Sequence, residues 1–367
     1  MEQINNVPGR NKIPRNIDRR RALAKILSIP PALLGLASLN EITGTEQVSA
    51  AHTLKYTSLD IERHDHELRY LWKIHYMHTA QSSFEDIQFY IKELESVEAQ
   101  AKGNLLHHIG ERLNGLYRLA ATIRRDQGDF PEAYKYANQG VRVARLMGND
   151  IFSSQVLSAS YFTRGVVSLA WGAFGQKEKI DAAINDFNKA LPQASPQLKG
   201  ILWAEQARAQ SLKDTTPIGE CIALRTLEKA ERYVEVENRP NDFYYQILVN
   251  GDMKGLDTKR FMIGRAKTFL SLGQYEKVRD ELDALEELRG APHARRRVWI
   301  DILYGQASLG MKDYYTTTQR MLTAVNENLK VRSSVHQARI QEIYQQLVSS
   351  RFNKDPEVKR LGKILKI

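Results

Sequence analysis

Small residues recur seven apart along this chain, and that spacing most limits what it can fold into. Ala133 and Gly140 form one pair, Ala183 and Ala190 a second, Ala223 and Ala230 a third. Val278 with Leu285, and Thr317 with Ala324, hold the same two places with larger residues. Seven residues are two turns of an α-helix, so each pair lies on one stripe, where short side chains let a neighbouring helix come close. Around these pairs the apolar residues keep helical time. Phe84, Ile87, Ile91 and Leu94 share one face, as do Leu106, Ile109, Leu113, Leu116 and Ala120, and again Ile340, Ile343 and Leu347. No proline stands between Pro31 and Pro131, and alternation of period two is almost absent, so the sequence reads as all-α.

Turn residues divide the helices into pairs. Gly128 in "RDQGDFPEAYKYANQG" and Gly273 in "LSLGQYEKVRDEL" are each followed by an aromatic, Phe130 and Tyr275. A glycine there suits the left-handed position that stops one helix and turns the chain back. Asp129 then caps the returning helix, with Pro131 in its first turn. Ser83, three residues before Asp86, suits the start of an earlier helix. One stretch breaks the pattern: "ENRPNDFYYQILVNGDMKGLD", residues 237–257, with Pro240, an Asn250–Gly251 turn and an extended-looking run Phe243–Val249. It reads either as a connection whose aromatics pack on adjacent helices or as a hairpin-like insert facing the inner surface.

The segments "GDFPEAYKYANQG" and "IDAAINDFNKALPQASP" resemble the second helix of a tetratricopeptide repeat. The anchors are 50, 40, 55 and 39 residues apart rather than a regular 34, so the repeats are degenerate. The resemblance implies a helix-pair α-solenoid over residues 58–350, since each pair alone cannot bury its apolar face. A basic disordered tail (1–21) and a short helical or linker segment (22–57) precede it, and a basic C-terminal helix or tail (351–367) follows.

The opening segment "IDRRRALAKILSIPPALLGLASL" admits three readings. As a twin-arginine export signal it has Arg19–Arg20–Arg21 and a cleavage-like "VSA" at 48–50, but Lys25 and Pro30–Pro31 interrupt the apolar region. As an anchor it is too short, Ile26–Leu39 being 14 residues against the roughly 20 a span needs. Third, "RRALAKILSIPPALLGL" resembles the closing helices of a Cro/repressor-type helix-turn-helix domain. It also resembles the junction to the C-terminal repeat region in bacterial helix-turn-helix/tetratricopeptide transcriptional regulators. "ELRYLWKIHY", "FMIGRAKTFLSLGQYEKV" and "SSVHQARIQEIYQQLV" carry the resemblance on. Only some 20 residues precede the segment, too few for a recognition helix, so sequence-specific DNA reading by this chain is not expected.

Composition removes several function classes. The single cysteine, Cys221, can form no internal disulfide and no cysteine-based zinc site. Of the net charge of +10, residues 1–25 supply +5 and residues 351–367 supply +4, which leaves the body nearly neutral. The sequence has no GxxxxGK[ST], GxSxG or HExxH motif. His64, His66, His75 and His78 cluster, His75 and His78 share a helical face, and His107 and Glu111 are four apart, but no set of three or four ligands is evident; no metal and no cofactor are expected. Trp72, Trp171, Trp203 and Trp299 stand at core-like spacings and read as packing.

The resemblance implies a concave groove lined by the first helix of each pair. Its positions fall on Arg118, Thr122 and Arg125; then on Phe162, with Tyr161 and Arg164 beside it; then on Arg260, Ile263 and Lys267. Basic residues there suit a carboxylate, and aromatics an apolar anchor. The expectation is a cytoplasmic, non-enzymatic protein that binds a peptide or protein in this groove. It would be the sensor part of a bacterial regulatory system, similar in logic to Rap-type peptide receptors, with a DNA-binding partner in trans as an option. Two alternatives stand beside it: an exported or surface-associated structural adaptor, and a nucleic-acid-associated protein using its basic tails. The sequence leaves the ligand and the oligomeric state open.

Overall fold

The computed structural model describes residues 58–77, 84–236, 243–249, 255–288 and 294–366. The opening segment, the cleavage-like "VSA", Ser83, His78 and the Asn250–Gly251 turn lie outside them. The described residues form 15 α-helices, one 3-10 turn (Leu191–Gln193) and no strand. In chain order the helices are α1 Ser58–Met77, α2 Phe84–Glu98, α3 Asn104–Asp126, α4 Phe130–Leu146 and α5 Ile151–Ala173. Next come α6 Glu178–Ala190, α7 Pro196–Lys213, α8 Pro217–Glu231, α9 Phe243–Val249 and α10 Thr258–Ser271. The last are α11 Tyr275–Glu287, α12 Ala294–Gly310, α13 Tyr314–Val331, α14 Ser334–Val348 and α15 Pro356–Leu365.

Local chemistry sets the boundaries. Asp129, Asp150, Ser195, Thr216, Asp257, Asp313, Ser333 and Asp355 each accept a backbone N–H in the first turn of the helix they precede. Pro131, Pro196, Pro217 and Pro356 stand in first turns, where no backbone donor is needed. The turn glycines act as their spacing predicts. Gly128 (φ 79°) and Gly273 (φ 72°) are left-handed, and the following N–H of Asp129 and Gln274 reaches back to Arg124 O and Phe269 O. The same closure recurs after α5, through Gly175, and after α12, where Lys312 takes the left-handed place and Asp313 N bonds Ser308 O. Four turns thus share one geometry, although only two of them show it through a glycine followed by an aromatic.

Helices pack as successive pairs: α3 with α4, α5 with α6, α7 with α8, α10 with α11 and α12 with α13. The seven-spaced residues all face these contacts. Ala133, Ala183, Ala190, Ala223, Ala230, Val278, Leu285 and Ala324 are buried, as are Gly140 and Thr317. The first helices carry matching small residues. A Cβ added at Gly165 or Gly172 of α5 would come within 2.5 or 2.6 Å of Phe187 or Ile180 on α6. A methyl group there forces overlap, so these glycines set how closely the pair approaches.

First helices also touch the next first helix, α3 to α5, α5 to α7, α7 to α10, α10 to α12 and α12 to α14. Helix α14 then packs against α3, and these six helices close into a ring. Polar contacts hold the closure. Arg295 Nη1 lies 2.6 Å from Asp126 Oδ2, Arg295 Nε donates to His75 O (3.1 Å), and Ser333 Oγ donates to Asp126 O (3.2 Å). Arg339 Nη2 donates to Ala173 O (2.6 Å).

One expectation is corrected. The run Phe243–Val249 is the helix α9 and not an extended strand. Its Ile247, Leu248 and Val249 are buried against α1, α3 and α5, while the Tyr244 and Tyr245 hydroxyls reach Glu111 and Gln155. Seven residues with three consecutive aliphatics find enough apolar surface there to form two turns of helix. The basic C-terminal segment carries the helix α15. Val358, Leu361 and Leu365 of α15 share a core with α12, α13 and α14, while Arg351, Lys354, Lys359, Arg360, Lys363 and Lys366 stay exposed.

Candidate ligand cavity

The ring encloses a cavity of about 320 Å³, a volume in the range of small-ligand sites. Every ring helix contributes a wall: Thr122, Arg125 and Asp126 from α3, Phe162 and Val166 from α5, Ile201, Glu205 and Arg208 from α7. From α10 come Arg260, Ile263 and Lys267, from α12 Arg295, Arg296 and Trp299, and from α14 Val335, His336 and Arg339. The register explains the convergence. Arg260, Ile263 and Lys267 are three and four apart on one face of α10, and its opposite side packs Val278 and Leu282 of α11.

Of the nine groove positions drawn from the repeat pattern, six line this cavity: Thr122, Arg125, Phe162, Arg260, Ile263 and Lys267. Three do not. Arg118 is fully buried; its Nη1 donates to Leu248 O (2.6 Å) and its Nε to Thr163 Oγ1 (3.2 Å), so α9 covers it. Arg164 is clamped by Asp186 through two bonds of 2.8 and 2.6 Å and by Asn138, between α5 and its partners α4 and α6. Tyr161 is buried on that same side and accepts from Arg145 (2.7 Å). Tyr161 lies about 100° and Arg164 about 200° round the helix from Phe162, which turns both away from the cavity.

Sequence reasoning missed Glu205, Arg208, Arg295, Arg339 and His336, and it placed Trp299 in the packing. The signal was there in "HARRRVW" and "SVHQARIQ". Without a glycine turn after α7, and with α9 inserted before α10, the repeat frame could not be carried onto α7, α12 and α14.

The charge in the cavity is lopsided. Seven cations, Arg125, Arg208, Arg260, Lys267, Arg295, Arg296 and Arg339, line it with two carboxylates, Asp126 and Glu205, while Asp257 (3.6 Å) and Glu342 (2.7 Å) pair with Arg296 and Arg339 from outside the lining. Asp126 is shared between Arg125 (2.9 Å) and Arg295 (2.6 Å), with His75 at 3.8 Å. Burial works against that carboxylate, but these cations outweigh it and hold it well below the usual range. Glu205 lies 3.6 Å from Arg208, and Lys267, Arg208, Arg260 and Arg125 together overcome its burial and depress it. Lys267 rests its ammonium 5.0 Å from the centre of the Trp299 ring, with no carboxylate within ion-pairing distance among the described residues. Burial, then the neighbouring Arg208, lower it to about 8, against only partial support from Glu205. His336, edge-on to Trp299 at 5.0 Å between ring centres, is pushed by burial to about 3 and is neutral.

Other features are more ordinary. His107, His108 and Glu111 bring ligand atoms within 4.8 Å of one another, a grouping the spacing had only half suggested. Glu111 already accepts from Arg112 at 2.6 Å, so a dication would share that carboxylate with a guanidinium. His75 is buried beside Asp126. Trp72 is buried, and Trp171 and Trp203 lie under Lys179 and Lys229. Among the described residues no helix is long and apolar enough to cross a membrane. No protein-family model matches the chain, and no curated protein matches it.

Proposed function

We propose that this chain is a non-enzymatic helical-repeat protein of the tetratricopeptide type, a solenoid whose first helices curl into a ring and bind a peptide or a segment of a protein at its centre. On this reading it is the sensor or interaction part of a bacterial regulatory system, working in the cytoplasm. The observation that supports it is the cavity: six successive first helices each give side chains to one site that combines an apolar wall (Phe162, Ile201, Ile263, Trp299) with many hydrogen-bond donors. A segment with mixed apolar and polar side chains matches such a wall. A ligand touching all six helices would also change how firmly α14 holds α3, which is what a sensor requires.

Gly264 gives the test. It lines the cavity, and a Cβ there would meet only Ala204, at an ordinary 3.6 Å. Gly264→Leu therefore fills the site while leaving the backbone in place. Peptides selected by display on the wild-type chain should bind Gly264→Leu at least tenfold more weakly. Equal affinity would place the binding surface elsewhere and reject the cavity.

One observation favours a second reading. The exposed basic face of α15 and its approach suits backbone phosphate, and such binding would weaken steeply as salt rises.

A further inference from the structure

We infer that the first turns of α3 hold a divalent transition-metal ion of the zinc class, bound by His107, His108 and Glu111, with water completing its coordination. The site lies apart from the cavity. Glu111 and the cavity residue Thr122 are about 16 Å apart along the axis of α3, so the two sites stand or fall separately.

A hydroxyl group fixes which nitrogen of His107 carries a proton. Ser153 is buried at the start of α5, and its Oγ donates to Asp150 Oδ2 (2.5 Å), a carboxylate oxygen that only accepts. A hydroxyl has a single proton, so toward His107 Nε2, 3.2 Å away, the same oxygen accepts. His107 Nε2 is therefore the protonated nitrogen, and Asp150 Oδ2 also stands 3.7 Å from it. Nδ1 keeps its lone pair and lies 3.4 Å from Glu111 Oε1. Two acceptors at that distance call for a cation between them. A proton is the competing cation, and His108 separates the two cases. Its Nδ1 lies 3.5 Å from Glu111 Oε2. A proton serves one imidazole at a time, whereas a metal ion serves both.

The spacing also suits a metal better than direct hydrogen bonds. Nitrogen–carboxylate distances of 3.4 and 3.5 Å exceed a charged hydrogen bond of about 2.8 Å. They come close to the edge of a tetrahedron, about 3.3 Å for ligands about 2.0 Å from zinc. One ligand atom from each residue lies within 4.8 Å of the other two, and His108, on the exposed side, has room to close that spacing. Glu111 is buried and held from behind. Its Oε2 accepts from Arg112 Nη1 (2.6 Å) and from the Tyr244 hydroxyl of α9 (3.4 Å), which sets Oε1 toward His107. Arg112 is itself shared with Asp65 at 2.8 Å, so it does not consume the charge of Glu111. Asp150 and Ser153 orient His107 as outer partners orient ligating imidazoles. Two imidazoles with one carboxylate suit zinc and its neighbours; magnesium and calcium take oxygen ligands. Arg112 and the positive end of α3 oppose a dication, so binding is weaker than in a four-ligand structural site.

The whole chain, stripped with EDTA, is titrated with zinc chloride by calorimetry and with cobalt chloride by visible absorption. Zinc should bind and raise the melting temperature, cobalt should give the d–d bands of nitrogen–oxygen coordination, and magnesium should do neither. His108→Ala, at a half-exposed position, and Glu111→Gln should each weaken zinc by about tenfold or more. Asp150→Asn still caps α5 but carries no charge toward His107; it should weaken zinc several-fold and leave the metal-free melt unchanged. His66→Ala, at an exposed histidine of α1, should bind zinc as the wild type does. Equal zinc affinity in wild type, His108→Ala and Asp150→Asn would overturn the site, as would cobalt bands that survive in His108→Ala. Loss of zinc in His66→Ala with retention in His108→Ala would place the metal elsewhere and reject the assignment. If Glu111→Gln melts low because Arg112 loses a partner, His108→Ala and Asp150→Asn decide.

Discussion

His336 makes the stability of this chain sensitive to mild acid. It sits in the first turn of α14, buried, with its ring edge-on to Trp299. It faces Asp126 and Arg125 from α3, Arg295 from α12 and Lys267 from α10. Burial is the main cause of its fall to about 3; Asp126 pulls the other way, and the three cations add to the fall. In the unfolded chain the same imidazole titrates near 6.5. Between those values the unfolded state binds a proton that the folded state refuses, so stability is complete above pH 6.5 and falls as pH drops toward 3. At pH 5 the loss works out at about 2 kcal/mol, or roughly 3 °C in melting temperature for a unit of this size. The assay is thermal melting by circular dichroism from pH 8 to pH 5 for wild type and His336→Phe, which keeps the ring against Trp299 and cannot titrate. The difference between the two curves should grow by about 2 kcal/mol over that range, whatever the other histidines do. Parallel curves, with His336→Gln parallel as well, would refute the reasoning.

Three further outcomes follow from other parts of the molecule. Arg118→Met should cost about 3 kcal/mol, because it removes charged donors from Leu248 O and Thr163. Hydrogen exchange should then rise first in α9; the sequence placed Arg118 in the groove, where loss of stability would not be expected. Gly165→Ala should cost about 1–3 kcal/mol by forcing Phe187 off its seat, and Gly165→Ala with Phe187→Leu should recover part of the loss in the same melts. Lys267, near 8 in the fold and 10.5 outside it, gives a pH dependence of the same sign as His336 in a higher window. Its folded form releases the proton first, so the wild type should gain about 2 to 3 kcal/mol relative to Lys267→Met between pH 7 and pH 10, and an unchanged difference would exclude a strained ammonium.

Which parts of this were legible in the sequence has a physical pattern. Helical period, caps and turn glycines are local, and they were readable because each acts within a turn or two of its own position. The stop at Gly128 and the cap at Asp129 needed no knowledge of the rest of the chain. The site was legible only where those local signals fixed a frame. On α3 and α10, next to Gly128 and Gly273, the frame led to Arg125, Arg260 and Lys267. On α5, one residue of uncertainty separated Phe162, in the cavity, from Tyr161 and Arg164, held by Arg145 and Asp186 on the other side. On α12 and α14 there was no frame, and Arg295, Trp299, His336 and Arg339 went unseen. Nothing local encodes the meeting of α14 with α3, since residues 126 and 333 are 207 apart. Nor does anything local say that α9 will settle over Arg118.

Net charge concealed the rest. The two basic termini account for nearly all of the +10, and a body of only +1 suggests a surface with no electrostatic preference. Five surplus positive charges in the cavity require the remainder of that body to be negative by about four. Part of that negative charge stands directly against the cavity's cations, where Arg296 lies 3.6 Å from Asp257 and Arg339 2.7 Å from Glu342. Measured against ionic strength, binding of a polyanion to the exposed basic face of α15 should fall steeply. The half-buried lining cations, set beside carboxylates, are screened by salt less than the exposed terminal ones.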